Sequence, residues 1–291
     1  MQLFDYVSAG TIREVVGLLS SNDGGARILS GGTDLLVQLR ENRRRAELLI
    51  DVKNLPELTS VSYDEQNGLT IGAAASCYQI CSDRLIQEKY PGLVDAIQFI
   101  GGIQIQYRAG LGGNLCNASP AADSIPALII HRATCVIAGP DGTRSLAVEQ
   151  FCIAPGRNAL QTGEFLVAVH VPTSGQNFGA HYLRFIPRNE MDIAVVGAGA
   201  SVTLDDSRQK ILSARIALGA VAPTPLLIAE AGTFLEGKDV TKENIQEAAR
   251  IAQAAARPIS DLRGTAEHRK HLCAVLTQRA LEKAIERARA R

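Results

Sequence analysis

The spacing of apolar residues divides the chain into short helices and strands. Ile12, Val15, Val16 and Leu19 fall on one helical face, which predicts a helix over 11–19 with Thr11 as its N-cap. A brief strand follows over 26–30. Leu35, Leu36 and Leu39 then predict a helix over 33–40, capped by Thr33 or Asp34. Strands are predicted over 48–52, near 60–63 and over 69–71, with a turn at Pro56. Helical patterns cover 74–85 and 93–100, broken at Pro91-Gly92, and another covers 125–130. Alternation and β-branched content mark strands over 134–138, 144–146 and 165–171, the first two joined by the turn Gly139-Pro140-Asp141-Gly142.

After Pro172, the stretch Ser174-Gly175-Gln176-Asn177 is the most linker-like in the chain, and a domain boundary is placed there. Beyond it, strands are predicted over 180–186, 194–204 and 210–218, and helices over 224–235, 241–256 and 265–289. This is an α+β layer of about three strands with helices on one side. Gly197-Ala198-Gly199 invites comparison with a dinucleotide-binding turn. Val202 stands where the third glycine belongs, however, and 201–204 continues as strand, so that reading is rejected. The small residues there suit close packing of a sheet.

Composition narrows the classes of function. A length of 291 residues favours two domains over one core. Thirty basic residues balance thirty acidic ones and Trp is absent, which argues against a nucleic-acid surface. The Arg43-Arg44-Arg45 run reads as a solvated helix end. No apolar run is long enough to span a bilayer. The six cysteines (77, 81, 116, 135, 152 and 273) contain no C-x-x-C pair, and His268 with His271 lacks a third ligand, so no metal site is expected. Free thiols and no signal peptide lead to the expectation of a cytoplasmic protein. There is no nucleophile elbow, Walker loop or His-Glu metal motif, so no side chain is assigned a catalytic role. If the chain takes part in catalysis, a bound cofactor carries the chemistry.

Two glycine turns point to that cofactor. Ser30-Gly31-Gly32-Thr33-Asp34 ends a strand, and Gly112-Gly113-Asn114 closes a run of small residues that begins at Gly101-Gly102. Glycine lets the backbone approach a ligand closely, and successive N–H groups in such turns form an electropositive nest for phosphate oxygens. By itself the first turn also reads as an ordinary strand–turn–helix connection. The second is followed by Asn114, Asn117, Ser119, Asp123 and Ser124, whose polar groups suit ribose, phosphate and ring edges. Asp123 is the natural acceptor for a sugar hydroxyl, although Ser119 and Asp123-Ser124 would equally serve as caps of the helix over 125–130. Two nests gripping one diphosphate are read as the site of FAD.

Four ordered motifs carry a family resemblance: Ser-Gly-Gly-Thr-Asp at 30–34, Leu-Gly-Gly-Asn-Leu-x-Asn-Ala-Ser-Pro-Ala-x-Asp-Ser at 111–124, Arg-x-x-Met-Asp-Ile-Ala-x-Val-Gly at 188–197 and Gly-Ala-Val-Ala-Pro-Thr-Pro at 219–225. Together they resemble the FAD-binding (medium) subunits of molybdenum hydroxylases, such as xanthine dehydrogenase and carbon monoxide dehydrogenase. The resemblance implies an α+β fold. A two-part FAD-binding domain of the vanillyl-alcohol-oxidase (PCMH) type would occupy 1–176, with subdomains of about 1–55 and 56–176. The family's C-terminal α+β domain would occupy 177–291. It places Leu29, Ser30, Gly31, Gly32, Thr33 and Asp34 in the first pyrophosphate loop and Leu111, Gly112, Gly113 and Asn114 in the second. Ser119 and Asp123 match positions that touch diphosphate and sugar, Leu166 a backbone contact to the ring, and Arg184 a basic position near the flavin. Arg188 and Asp192 either line the flavin edge or brace the domain interface as an ion pair. Gly110 stands where relatives usually carry threonine, which removes a hydroxyl contact to phosphate.

The resemblance further implies partners: a large subunit with the molybdenum cofactor and a small subunit with two [2Fe–2S] clusters, in a dimer of heterotrimers. This chain would collect electrons on FAD and pass them to NAD⁺ or another acceptor. Met191-Asp192-Ile193 and Ala222-Pro223-Thr224-Pro225 lean toward the xanthine-dehydrogenase branch, with carbon monoxide, N-heterocycles or aldehydes as alternative substrates of the complex. The absence of a cysteine-rich insert argues against a benzoyl-CoA-reductase-like member. Two rival readings are a self-contained FAD oxidoreductase and a non-enzymatic nucleotide-binding module.

Overall fold

A computed structural model describes residues 3–22, 24–188 and 191–291; Asn189 and Glu190, the unspecified positions of the third motif, lie outside it. The chain is a mixed α+β structure built on three main sheets. The first is parallel, with Leu48–Asp51 between Asp5–Ser8 and Ala26–Leu29. Its central strand is buried throughout, as an apolar run covered on both faces must be. The helix Ile12–Ser21 flanks it and begins as its spacing predicts, with the Thr11 hydroxyl accepting from the Glu14 N–H at 3.1 Å.

The second sheet is antiparallel and five-stranded, in the order Val61–Asp64, Gly68–Gly72, Phe165–Val171, Thr134–Gly139, Gly142–Ala147. Short helices between Cys77 and Ile130 collect over it around Ile71, Ile80, Leu93, Leu115, Leu128 and Val169, all buried. Each such side chain contributes on the order of 1.5–3 kcal/mol by leaving water. The helix predicted over 74–85 starts at Cys77 under a Ser76 cap and stops at Asp83. The Asp83 carboxylate accepts from Leu85 and Ile86 N–H groups and opens a new helix, Arg84–Lys89. Pro91 does not break a helix: it is the first residue of Pro91–Ile97, where a missing N–H costs nothing.

The third sheet is antiparallel: Phe178–Phe185, Val196–Leu204, Ile211–Gly219 and a short fourth strand, Leu226–Leu227. That fourth strand corrects the predicted helix over 224–235, which begins only at Ala229. Pro223 and Pro225 hold their neighbours extended and supply no helical N–H. The helix Ala266–Arg289 lies across this sheet so closely that a Cβ at Gly179 would overlap the Ala284 carbonyl. The strand Asp5–Ser8 and the small hairpin of Cys152–Ala154 with Arg157–Asn158 are further elements the apolar pattern does not announce.

One carboxylate ties the third sheet to the helices of the second. Asp95, in Pro91–Ile97, lies 2.5 Å from His181 Nδ1 and accepts from Arg287 at 2.5 and 3.0 Å. The last helix is thereby anchored across the seam.

Candidate functional site

The strand Ala26–Leu29 delivers the chain to Ser30 at the edge of a cavity of about 520 Å³, a size typical of cofactor sites. Gly32 turns it with φ +77, a conformation that an L side chain resists. The short helix Leu35–Arg40 follows, and neither Thr33 nor Asp34 caps it with a side chain. Among the described residues, the backbone N–H groups of Gly31, Gly32, Thr33 and Asp34 have no acceptor. Four adjacent free donors in residues that line one cavity suit an anion.

The second loop meets the first directly. A Cβ on Gly31 would overlap the Arg108 carbonyl, and one on Gly110 would lie 2.8 Å from Ser30 Oγ. In the second loop, the Leu111 and Gly112 N–H groups donate to the Ala75 and Ala73 carbonyls at 3.2 and 2.9 Å. Gly113 N–H has no acceptor among the described residues, and beyond its own helix backbone nothing stands within 4 Å of where its Cβ would be. Ser30 Oγ is buried at this junction without a hydrogen-bond partner. A buried hydroxyl left unpaired costs about 1–3 kcal/mol, a cost that a hydrogen bond to a ligand would offset here.

Of the residues expected at the site, Ser30, Gly31, Gly32, Thr33, Asp34, Gly112, Gly113, Asn114 and Leu166 line the cavity. Leu29, Leu111, Ser119, Asp123 and Arg184 stand behind it. Leu29 packs with Leu39 and Leu49, and Leu111 is fully buried. Ser119 turns its own loop, its hydroxyl accepting from Ala121 N–H at 3.3 Å. The Asp123 carboxylate accepts from Tyr182 Oη and Arg184 Nη1, both at 2.7 Å, and makes no cap hydrogen bond to the helix Ser124–Ile130. Burial pushes its carboxyl up to about 6, against the pull of Arg184 and the Tyr182 hydroxyl. Asn114 Oδ1 accepts from Ser124 Oγ at 2.6 Å, which orients the amide at the cavity edge.

Several lining residues escaped the sequence reading: Arg27, Gln38, Arg44, Asn158 and Glu164. Burial and the neighbouring charge of Arg44 both lower the pKa of Arg27, so two cations share one part of the cavity. Gln38 donates to Asn117 at 3.4 Å across the two loops, and Glu164 is held by Arg144 at 2.6 and 2.7 Å. Only Arg27 had a local signal, as a charge inside a strand that leads into the glycine turn. Asp192 lines the cavity and pairs with Arg188 at 3.3 Å, while the Arg188 side chain is exposed and lies outside the lining.

The cavity brings both glycine loops and several polar side chains together on one surface. Comparison with known proteins agrees. A family model described as the FAD binding domain in molybdopterin dehydrogenase matches residues 2–174, and one described as the CO dehydrogenase flavoprotein C-terminal domain matches 181–284. The chain is 31% identical over 290 residues to the xanthine dehydrogenase FAD-binding subunit of Escherichia coli O157:H7, with 98% of both chains covered. It is 32% identical over 287 residues to the carbon monoxide dehydrogenase medium chain of Afipia carboxidovorans, again with 98% of each covered. Among solved structures, reconstituted CO dehydrogenase from Oligotropha carboxidovorans superposes with a TM-score of 0.93 at 29% identity, covering 98% of this chain and 99% of that one. Quinoline 2-oxidoreductase from Pseudomonas putida 86 gives 0.90 at 28% identity, covering 99% and 98%.

Proposed function

Since the chain belongs to the FAD-binding subunits of the molybdopterin dehydrogenases, we propose that it is the electron-transfer flavoprotein subunit of a molybdenum hydroxylase complex, of the xanthine-dehydrogenase type. The observation that carries the reading is the junction of the two glycine loops, with five free backbone donors and the orphan Ser30 hydroxyl on one cavity. The N–H groups of Gly31 to Asp34 and of Gly113 would hold the diphosphate. Ser30 Oγ, beside the Cβ-less Gly110, would supply the hydroxyl that relatives place at that neighbouring position. Asn114 and Leu166 would meet the remainder of the cofactor, with Leu29, Leu111, Gly112 and Ser119 shaping the loops behind it.

When bound, FAD supplies two-electron redox chemistry that no side chain here provides. The chain's own part is to bind it, exclude water and tune it by hydrogen bonds. We place upstream of it a small subunit with two [2Fe–2S] clusters and a large subunit with the molybdenum cofactor, in a dimer of heterotrimers. Downstream we place NAD⁺. Among the described residues no helix is long and apolar enough to cross a membrane.

Expression in the native host, followed by isolation of the intact assembly, tests this. A yellow complex carrying FAD, molybdenum and iron, and reducing NAD⁺ with a hypoxanthine-like purine, is the expected result. A chain that copurifies with neither metal and turns over a substrate alone would establish the self-contained oxidoreductase instead. A colourless chain that takes up no FAD would overturn the cofactor assignment.

A further inference from the structure

A second, smaller cavity of about 140 Å³ opens on the seam between the two halves of the chain and shares no lining residue with the first. Its walls come from the end of the helix Ser124–Ile130, the connecting segment 172–175, and the strands Val196–Leu204 and Ile211–Gly219 of the C-terminal sheet. The space exceeds the share of one water, about 30 Å³, and falls short of the roughly 300 Å³ at which sites for larger organic ligands begin.

The lining carries two arginines and no carboxylate. Arg132 is exposed and makes no ion pair among the described residues. It follows the helix end with φ +56, a position where glycine is usual, so a cationic side chain stands there against the preference of the backbone. Arg215 donates to the Ile129 carbonyl at 3.0 Å and to Glu149 at 2.8 Å, and Glu149 lies outside the lining. One of the two charges is thereby compensated, and Arg132 leaves the cavity net positive. His131 is 5% exposed, and its Nε2 is buried with no hydrogen-bond partner. Buried polar atoms are nearly always paired, and a molecule in this cavity would supply the missing partner. Thr203 and Ser213 face each other across the sheet, and their hydroxyls are uncommitted among the described residues. The backbone N–H groups of residues 173–175 likewise have no acceptor there.

We propose that the seam cavity is a binding site for one phosphate-sized oxyanion, either free phosphate or the phosphoryl group of a small ester. Arg132 supplies the uncompensated charge, and Arg215, the two hydroxyls and the His131 imidazole supply polar partners for its oxygens. Charge selects an anion, and volume limits it to a small one. Because the walls come from both halves of the chain, an occupied cavity favours the folded state of both by mass action. The proposal is independent of what fills the first cavity.

The test measures uptake of radiolabelled inorganic phosphate by the full chain in equilibrium dialysis, with excess FAD present and sodium chloride holding the ionic strength. Wild type is compared with Arg132→Met and Ser213→Asp; neither residue is buried, so both variants should fold. Neither touches the first cavity, so any phosphate held there cancels in the comparison. Saturable uptake by wild type, weakened about tenfold in Arg132→Met and lost in Ser213→Asp, is the expected result. Displacement by glycerol 3-phosphate would assign the site to a phosphoester, and failure to displace would assign it to the free anion. Equal uptake in all three proteins, or uptake that chloride at the same ionic strength abolishes, would overturn the proposal and leave the cavity to water.

Discussion

Gly31 lies against the backbone carbonyl of Arg108 so closely that no side chain fits between them. This contact joins the two glycine loops, which are far apart in the chain, into one cradle. It separates two kinds of glycine at the site. Gly31 is required by packing within the protein, whereas Gly113 has open space around its missing side chain, so any constraint on it would come from what the cavity receives.

Gly113→Val should therefore fold with a melting temperature within about 2 °C of wild type and yet lose FAD binding by about a hundredfold or more. Gly31→Ala should unfold more readily, by about 3 kcal/mol, through steric overlap in the core. Calorimetry combined with FAD titration distinguishes the two. Equal FAD affinity in Gly113→Val and wild type would place the diphosphate elsewhere.

Ser30→Ala removes a buried hydroxyl that has no partner within the protein. The apoprotein should gain about 1 kcal/mol of stability, because the desolvation penalty of that group disappears. FAD affinity should fall about tenfold as a hydrogen bond to the ligand is lost. Denaturant unfolding with and without FAD measures both, and opposite signs are the diagnostic result.

His131 is buried against Tyr90 and Phe178, and burial, followed by the charge of Arg291, lowers its pKa to about 4. Between pH 6.5 and 4 the unfolded chain binds the proton that the folded chain refuses, so stability from this site is full above 6.5 and is lost on acidification. The stability advantage of wild type over His131→Gln should grow by about 3 kcal/mol from pH 4 to 6.5. A constant difference across that range would show that His131 titrates normally. Comparing the two proteins at each pH cancels the opposing contribution of Asp123, whose raised pKa weakens the fold as pH rises through the same window.

Asp95→Ala should detach the last helix from the FAD-binding half, because His181 and Arg287 both lose their acceptor. A loss of about 3 kcal/mol is expected from breaking this partly buried cluster. Burial alone would raise the Asp95 carboxyl, but His181 and Arg287 hold it below the ordinary value of 3.8. Its contribution is thus complete above pH 3.8 and declines as the pH falls further. Hydrogen exchange along Ala266–Arg289 locates the effect: unchanged protection in the variant would contradict the anchor.

The glycine loops were legible because turn chemistry is local. Gly32 needs its left-handed backbone whatever surrounds it, and the strand before it announces itself by composition. The interruption at Asp83 and the strand at Leu226–Leu227 were not legible, since each depends on a choice between two locally acceptable conformations. Arg27 and Arg44 gave no hint that they share a cavity, because their proximity arises from the fold and from no pattern in the chain.

The sequence alone determined most of the order of elements, because periodicity and glycine turns are properties of neighbouring residues, and its four ordered motifs pointed to the family and the cofactor class. Only the tertiary structure decided which donors remain free and which residues brace the cavity. Leu111 and Gly112 spend their N–H groups on Ala75 and Ala73, while Gly31 to Asp34 keep theirs. Asp123, which reads in isolation as a sugar ligand, pairs with Tyr182 and Arg184, 59 and 61 residues away. A buried polar group takes whatever partner packing brings within reach, and that partner is chosen by the whole fold.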